Sequence, residues 1–169
     1  ECVAAAETVG RLLVDLGHEV SVATPPVSGA ECKAAVRMVL AAHTANHLDA
    51  RAAALGRPVR DGEVETITAL AAEEGRRLSA RDYAAALPAI HRTGRQMARF
   101  FDDYDVVVSP TLADPPLPLG AMDMMGDDLD AYLEVMLGHL AFTPVFNLSG
   151  CPAASVPLHW APDRLPVGV

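Results

Sequence analysis

The segment FTPVFNLSGCPAASVP, residues 142–157, has the most constrained backbone in this sequence. Pro144 and Pro152 restrict φ, and Gly150 can take the positive φ that a tight corner needs. The order of residue types along this segment predicts the exit from a helix, an apolar turn, a corner at Gly150 and a short strand over residues 154–157. We expect such a segment to lie with its backbone against something buried, and the rest of the fold to pack around it.

Three other stretches have strand character. Residues 106–110 form a continuous apolar run that is too short for a helix and is typical of a central strand covered on both faces. Residues 18–23 alternate between apolar and polar side chains, which predicts a strand with one wet face. Residues 166–169 are typical of a strand that is just beginning.

Helical periodicity and capping signals fill most of the remaining sequence. They predict helices over about residues 2–16, 28–55, 64–77, 79–101 and 129–141. This order predicts an α/β fold, part of a mixed β-sheet flanked by helices, in a single region over residues 1–169. We expect the helical residues 28–102 to be an insertion that covers the sheet.

Composition limits the kind of protein. The 169 residues are 51% hydrophobic and 21% charged, which predicts a globular domain with a core. The net charge of -9 argues against a nucleic acid partner, and no apolar run approaches the roughly 20 residues that span a membrane. Three cysteines without paired spacing favour a reducing cytoplasmic setting. Helical and strand patterns reach both termini, so we expect both to be cut from something longer.

Two histidines raise the possibility of a metal site. His43 and His47 are four residues apart on one predicted helix and could share a metal ion. The glutamate of an HExxH motif is absent, and no third ligand is evident. A half-buried helix face is the favoured interpretation, and we expect neither a metal nor a cofactor.

Other reactive side chains have structural interpretations as well. Cys151 could act as a nucleophile with His139 or His159, but its apolar neighbours favour a buried small residue. Ser109 and Ser149 lie outside a GxSxG motif and have no histidine paired with them locally. The aspartates near Gly126 lack the pattern of a calcium loop, and capping of the next helix explains them better; they are Asp123, Asp127, Asp128 and Asp130.

Residues 142–157, together with DVVVSPT at 105–111 and LPVGV at 165–169, resemble the C-terminal part of the amidase signature family of hydrolases. The resemblance is collinear and includes LGHEV at 16–20 and EGR at 74–76. The stretch that contains Asp82, Tyr83 and His91 is most similar to the bacterial branch that includes 6-aminohexanoate cyclic dimer hydrolases.

The resemblance implies a large mixed sheet between helical layers and hydrolysis of amides by a serine, a second serine in a cis peptide and a lysine. In the family those residues lie N-terminal to the part matched here. Lys33 is the only lysine in this sequence and does not match the catalytic setting, and the sequence lacks a Gly-Gly pair. No catalytic residue is carried over.

We therefore expect the C-terminal portion of a serine amidohydrolase that acts on small linear or cyclic amides. The resemblance implies that residues 142–147 pass beside the catalytic core. The expected substrate-binding residues are Phe142, Thr143, Phe146 and Asn147. Alternatively, the two aromatics are only core, and Asn147 satisfies backbone groups.

The expected partners are a missing N-terminal portion and a small-molecule amide. Uncovered strand edges and apolar faces would also favour a homodimer. A second hypothesis, from another class, is a non-catalytic binding or assembly module that keeps the amidase fold. The absent glycine and serine rich stretch motivates this alternative.

Overall fold

The computed structural model describes residues 1–162 and 164–169. Within these ranges six helices contain just over half of the chain: α1 (Cys2–Asp15), α2 (Gly29–Leu55), α3 (Thr66–Arg77), α4 (Ala80–Phe100), α5 (Leu129–His139) and α6 (Pro144–Ser149). They are followed by two strands, β1 (Pro157–Trp160) and β2 (Pro166–Gly168). In the described ranges no helix combines the length and apolar character that crossing a membrane requires.

The long helices begin and end at residues whose local chemistry predicts those ends. The Ser28 side chain accepts a hydrogen bond from the Glu31 N–H at the start of α2, and Gly56 ends the helix with a φ of 66°. At the start of α4, Ser79 and Asp82 form a reciprocal capping box. The predicted capping signals of these two helices are confirmed.

The two strands form an antiparallel hairpin that packs on α1. Pro157 is opposite Gly168, and the ladder is irregular between Pro157 and His159. Just outside the assigned strands, Val156 and Val169 exchange both backbone hydrogen bonds, at 2.9 and 3.1 Å. The core between α1 and the hairpin contains four buried side chains, Cys2, Ala5, Ala161 and Val167.

Two predicted strands are wrong. Residues 18–23 and 106–110 are not in a ladder, and Val22 and Val106 are 105% and 72% exposed. A strand needs a neighbouring backbone to pair with, and no described segment forms a ladder with either stretch. The observed fold is mixed α/β but mostly helical, with one two-stranded sheet in the described ranges.

The segment 142–157 also differs from its prediction. The predicted apolar turn is the short helix α6, which has Pro144 in its first turn. The predicted corner is present, because Gly150 ends α6 with a φ of 73°. The strand expected over residues 154–157 begins only at Pro157.

The remaining helices form a separate packed layer. The α2 helix contacts α3, α4 and α6, and α5 contacts α3. Arg37 of α2 ties this layer together, since it forms a two-pronged bond to Glu74 of α3 and an ion pair with Asp130 of α5. That residues 28–102 form an insertion covering a sheet stays a prediction.

Candidate functional site

The structure contains an apolar cavity of about 650 Å³. Its wall combines parts of the chain that are far apart in sequence: α1, the segment 105–111, the start of α6 and the segment 151–156. Neither segment is in a helix or a strand. Val169 also contributes, directly after β2. The segments whose sequences resemble the amidase signature family therefore meet at this cavity.

Two of the four predicted substrate-binding residues line this cavity. Thr143 and Phe146 contribute to its wall, whereas Phe142 and Asn147 are not among the lining residues. Asn147 is exposed, and its side chain has no hydrogen-bond partner within the described part of the chain. The alternative that Asn147 satisfies local backbone groups therefore has no support. Contact of these four residues with a substrate stays a prediction.

The position of Thr143 and Phe146 is set by how α6 is held. Pro144 is buried, and α6 packs against α4 and α2. The two helices are in contact near Gly94 of α4, since a β-carbon there would lie at an ordinary van der Waals distance of 3.6 Å from the Ser149 carbonyl oxygen. The start of α6 is thus fixed on the helical layer and presents two side chains to the cavity.

The candidate nucleophiles at the cavity have no visible activating base. Cys151 is a free thiol, and it lines the wall together with Ser109. Neither His139 nor His159 lines the cavity, and the His159 Nε2 atom lies 3.6 Å from a Glu1 carboxylate oxygen. In the region that the structure describes, the cavity therefore contains no thiol–histidine or serine–histidine pair.

A pair of hydroxyl groups in the wall was not found from the sequence. The Thr111 and Ser155 hydroxyls are 2.7 Å apart, and the Thr111 N–H donates to the Gly168 carbonyl oxygen at 2.9 Å. A β-carbon on Gly168 would lie 2.8 Å from Thr111 Oγ1, so only glycine fits there without a shift. No local spacing signal joins residues this distant in the chain.

Acidic residues in the loop before α5 have a structural role. Asp128 caps α5 by accepting from the Ala131 N–H at 2.9 Å, as its position predicted, and Asp123 accepts from the Met125 N–H. The rings of His43 and His47 meet edge to face at 6.3 Å. Among residues with described positions, no group of three or more His, Cys, Asp or Glu side chains could hold a metal.

The strong electrostatic pairs lie away from the cavity. Hydrogen bonds from Arg57 lower the pKa of Glu63 to about 2, and bonds to Glu74 and Asp130 raise the pKa of Arg37. Asp105 is the one charged side chain among the described residues that line the cavity. The cavity is therefore suited to apolar contact rather than to ion binding.

Comparison with known proteins finds relatives that match the whole length of this chain. A 6-aminohexanoate-cyclic-dimer hydrolase of Paenarthrobacter ureafaciens is 27% identical, and the match covers 100% of this chain and 36% of that protein. The hydrolase of the same name from Pseudomonas sp. (strain NK87) is also 27% identical, over 100% of this chain and 36% of its own length. A solved structure of 6-aminohexanoate cyclic dimer hydrolase superposes with a TM-score of 0.89 at 26% identity.

The extent of these matches defines what the chain represents. The solved hydrolase matches 99% of this chain but only 36% of its own length, so this chain spans about a third of such a protein. The amidase family matches residues 1–169. The residues that suggested the family, at 105–111, 142–157 and 165–169, lie within that match, and each of the three stretches contributes to the wall of one cavity. This chain belongs to the amidase family.

Proposed function

We propose that this chain is the C-terminal portion of a serine amidohydrolase that cleaves carboxamide C–N bonds of small linear or cyclic amides. The observation that carries this proposal is the superposition of nearly the whole chain on part of a cyclic dimer hydrolase, with a TM-score of 0.89. A second solved structure of that hydrolase is described as complexed with substrate, and it matches equally well. A small amide is therefore the substrate class that we assign.

The chain contributes a wall to the site and not its nucleophile. Thr143 and Phe146 line the cavity, and an aromatic ring beside a small hydroxyl suits the carbon chain of an aliphatic amide. Phe142 and Asn147 flank them in sequence and complete the substrate-binding set that we propose. The serine, the cis-peptide serine and the lysine of the family lie in polypeptide outside residues 1–169, since Lys33 is exposed on α2 away from the cavity.

The proposal includes the setting of the enzyme. It acts in the cytoplasm together with an N-terminal portion that carries the catalytic residues. It takes no cofactor, because the hydrolysis needs only water and the three side chains. A homodimer through uncovered apolar surface is part of the same proposal.

The test compares the 169-residue chain with the longest natural polypeptide that contains it. Both are treated with a fluorophosphonate probe, which labels activated serines, and both are assayed with a linear and a cyclic 6-aminohexanoate amide. We expect the longer polypeptide to be labelled and to release amine, and the 169-residue chain to do neither. Labelling of the short chain would overturn the division of roles. An unlabelled long polypeptide that binds amides without cleaving them would favour the binding module.

The wall is tested separately in the longer polypeptide. Phe146→Leu removes a ring that lines the cavity, whereas Phe100→Leu is the matched change at a half-buried phenylalanine that does not line it. We expect Phe146→Leu to lower kcat/KM about tenfold through KM, which corresponds to a loss of roughly 1.4 kcal/mol in binding. Phe100→Leu should have a smaller effect. Equal effects would contradict a specific contact by Phe146.

A further inference from the structure

A buried polar contact joins the first turn of α2 to the middle of α4. Thr93 of α4 is 3% exposed and is the one buried polar or charged side chain in the part of the chain that the structure describes. Its hydroxyl oxygen lies 3.9 Å from the Sγ atom of Cys32, which is also buried. Neither residue lines the apolar cavity. A buried hydroxyl is unfavourable unless it is hydrogen-bonded, so this contact restricts how the two helices can pack.

The direction of each hydrogen bond at Thr93 follows from the number of hydrogens available. The hydroxyl has one hydrogen, which it donates to the Ala89 carbonyl oxygen one turn earlier in α4, at 3.0 Å. The Cys32 thiol is therefore the donor in the contact between the helices, and Thr93 Oγ1 is its acceptor. Valine at this position would leave the thiol without that acceptor. It would also place carbon beside the carbonyl oxygen, where carbon needs about 3.3 Å or more, so the side chain would have to move.

A second contact lies beside the first and fixes the same register. Glu31 and Arg92 are the sequence neighbours of Cys32 and Thr93, and the Arg92 guanidinium donates to a Glu31 carboxylate oxygen at 2.8 Å. Two consecutive residues of α2 thus meet two consecutive residues of α4. The ion pair is about half exposed and contributes little by itself. The interior side of the contact therefore depends on the thiol and the hydroxyl.

The residue after Thr93 carries this register to α6. Gly94 lies in van der Waals contact with the end of α6, at Ser149, and α6 also contacts α2. Met97, one turn after Thr93 on the same face of α4, is fully buried. Because interiors are close-packed, α4 cannot slide here without disturbing its neighbours. The α6 helix therefore rests on the two helices that the buried contact aligns, and α6 carries Phe146 to the cavity wall.

We propose that Thr93 is a positioning residue for the cavity. Its contact with Cys32 sets the register of α4 on α2, and this register sets where α6 holds Phe146. Thr93 acts through α6 and does not touch the cavity itself. The kinetic consequence rests on the proposed function, in which Phe146 belongs to the substrate wall. The geometric consequence does not rest on it, so the two are measured separately.

The first test measures the environment of Phe146 directly. The longest natural polypeptide that contains this chain is labelled with 4-fluorophenylalanine, and the fluorine NMR resonance of residue 146 is assigned by its loss in Phe146→Leu. We expect Thr93→Val to shift this resonance and Thr93→Ser, which keeps the hydroxyl, to leave it in place. Cys32→Ala removes the donor instead of the acceptor and should also shift it, which keeps the test decisive if Thr93→Val does not fold. An unmoved resonance in the folded variants of this pair would overturn the proposal.

Two control variants separate positioning from a general loss of stability. Gly75→Ala crowds the contact of α3 with α2 and should destabilise the protein without moving the Phe146 resonance. Thr8→Val removes the same kind of bond, from a hydroxyl to the carbonyl oxygen one turn earlier, on the exposed side of α1, and should leave the resonance in place. A shift in Thr93→Ser or in Gly75→Ala as large as that in Thr93→Val would also overturn the proposal.

The second test measures amide hydrolysis by the same variants. We expect Thr93→Val to raise KM about three- to tenfold at nearly unchanged kcat, and Thr93→Ser to retain the wild-type KM. In a Phe146→Leu background Thr93→Val should have little further effect, because the ring that it positions is gone. Fully additive effects in that double variant would overturn the route through Phe146. If the polypeptide cleaves no amide, the proposed function fails, and the fluorine resonance still decides whether Thr93 positions Phe146.

Discussion

Gly75 of α3 packs directly against the backbone of Ala41 in α2. A β-carbon on Gly75 would lie 2.6 Å from the Ala41 carbonyl carbon and 2.9 Å from the Ala45 β-carbon. Both distances are far shorter than van der Waals contact, so the two helices are this close only because residue 75 has no side chain. The EGR motif at 74–76 therefore has a packing role as well as a place in the family resemblance.

Gly75→Ala should destabilise the fold. The new methyl group meets backbone rather than a movable side chain, so we expect a loss of about 1–3 kcal/mol despite the better helix propensity of alanine. Gly138→Ala in α5 is the matched control, since a β-carbon there meets nothing within 4 Å. That variant should gain about 0.5–1 kcal/mol. Urea unfolding of both variants measures the difference, and equal stabilities would contradict the close packing.

The hydroxyl pair at the cavity wall should show energetic coupling. Thr111→Val and Ser155→Ala each remove one partner of the 2.7 Å contact. Because the pair is exposed, we expect a coupling free energy of only about 0.5–1 kcal/mol in a double-mutant cycle of urea unfolding. Thr68→Val together with Ser155→Ala is a control cycle for two residues without a shared bond. Additive effects at Thr111 and Ser155 would show that the hydroxyl contact is energetically neutral.

The guanidinium of Arg37 should not be replaceable by an ammonium. It donates to both Glu74 oxygens at 2.8 Å and pairs with Asp130, so three helices depend on its planar geometry. Since the side chain is 38% exposed, Arg37→Lys should cost only about 1 kcal/mol of the free energy of unfolding. Arg99→Lys is the matched control on α4. A loss no greater than that of the control would mean that the network adds nothing to stability.

The sequence predicts those features that local chemistry decides. Gly56 after α2 and the box formed by Ser79 and Asp82 fix helix ends through neighbouring residues alone, and these ends were predicted. Residues 106–110 have the composition of a strand, but pairing depends on backbone elsewhere, which composition cannot show. Proline in the first turn of α6 is equally compatible with a turn and with a helix, and the packing of α6 on α2 and α4 decides for the helix.

The candidate site was predictable only through the family. No spacing rule brings Thr143 and Phe146 to one cavity with residues 105–111, and their selection came from the resemblance. The contact between Thr111 and Ser155 joins residues 44 positions apart, so no local pattern encodes it. The same is true of Gly75, whose neighbours in space are on another helix.

The isolated chain should associate with itself at high concentration. Apolar side chains that are exposed include Val106 at 72% and Trp160 at 64%, and the backbone of residues 106–109 is open for pairing. Such surfaces and edges associate. Sedimentation should show dimers or larger species, and a hydrophobic dye should bind. Val106→Lys should reduce both signals, whereas Val14→Lys on α1 is the control away from the open edge. A monomer that binds no dye would contradict this prediction.

The stability of the chain should fall in acid partly through Glu63. Arg57 donates to both of its carboxylate oxygens at 2.8 Å, and this lowers the pKa of Glu63 from 4.5 to about 2. Below pH 4.5 the unfolded chain takes up a proton at this residue, whereas the folded chain resists protonation until about pH 2. The stabilisation is therefore complete above pH 4.5 and is lost between pH 4.5 and pH 2.

Melting temperatures of the wild type and Glu63→Gln should converge across that window, and the difference between them should shrink in high salt. Glu19→Gln, at an exposed carboxylate, should show no such convergence. A difference between wild type and Glu63→Gln that is independent of pH would rule out this contribution.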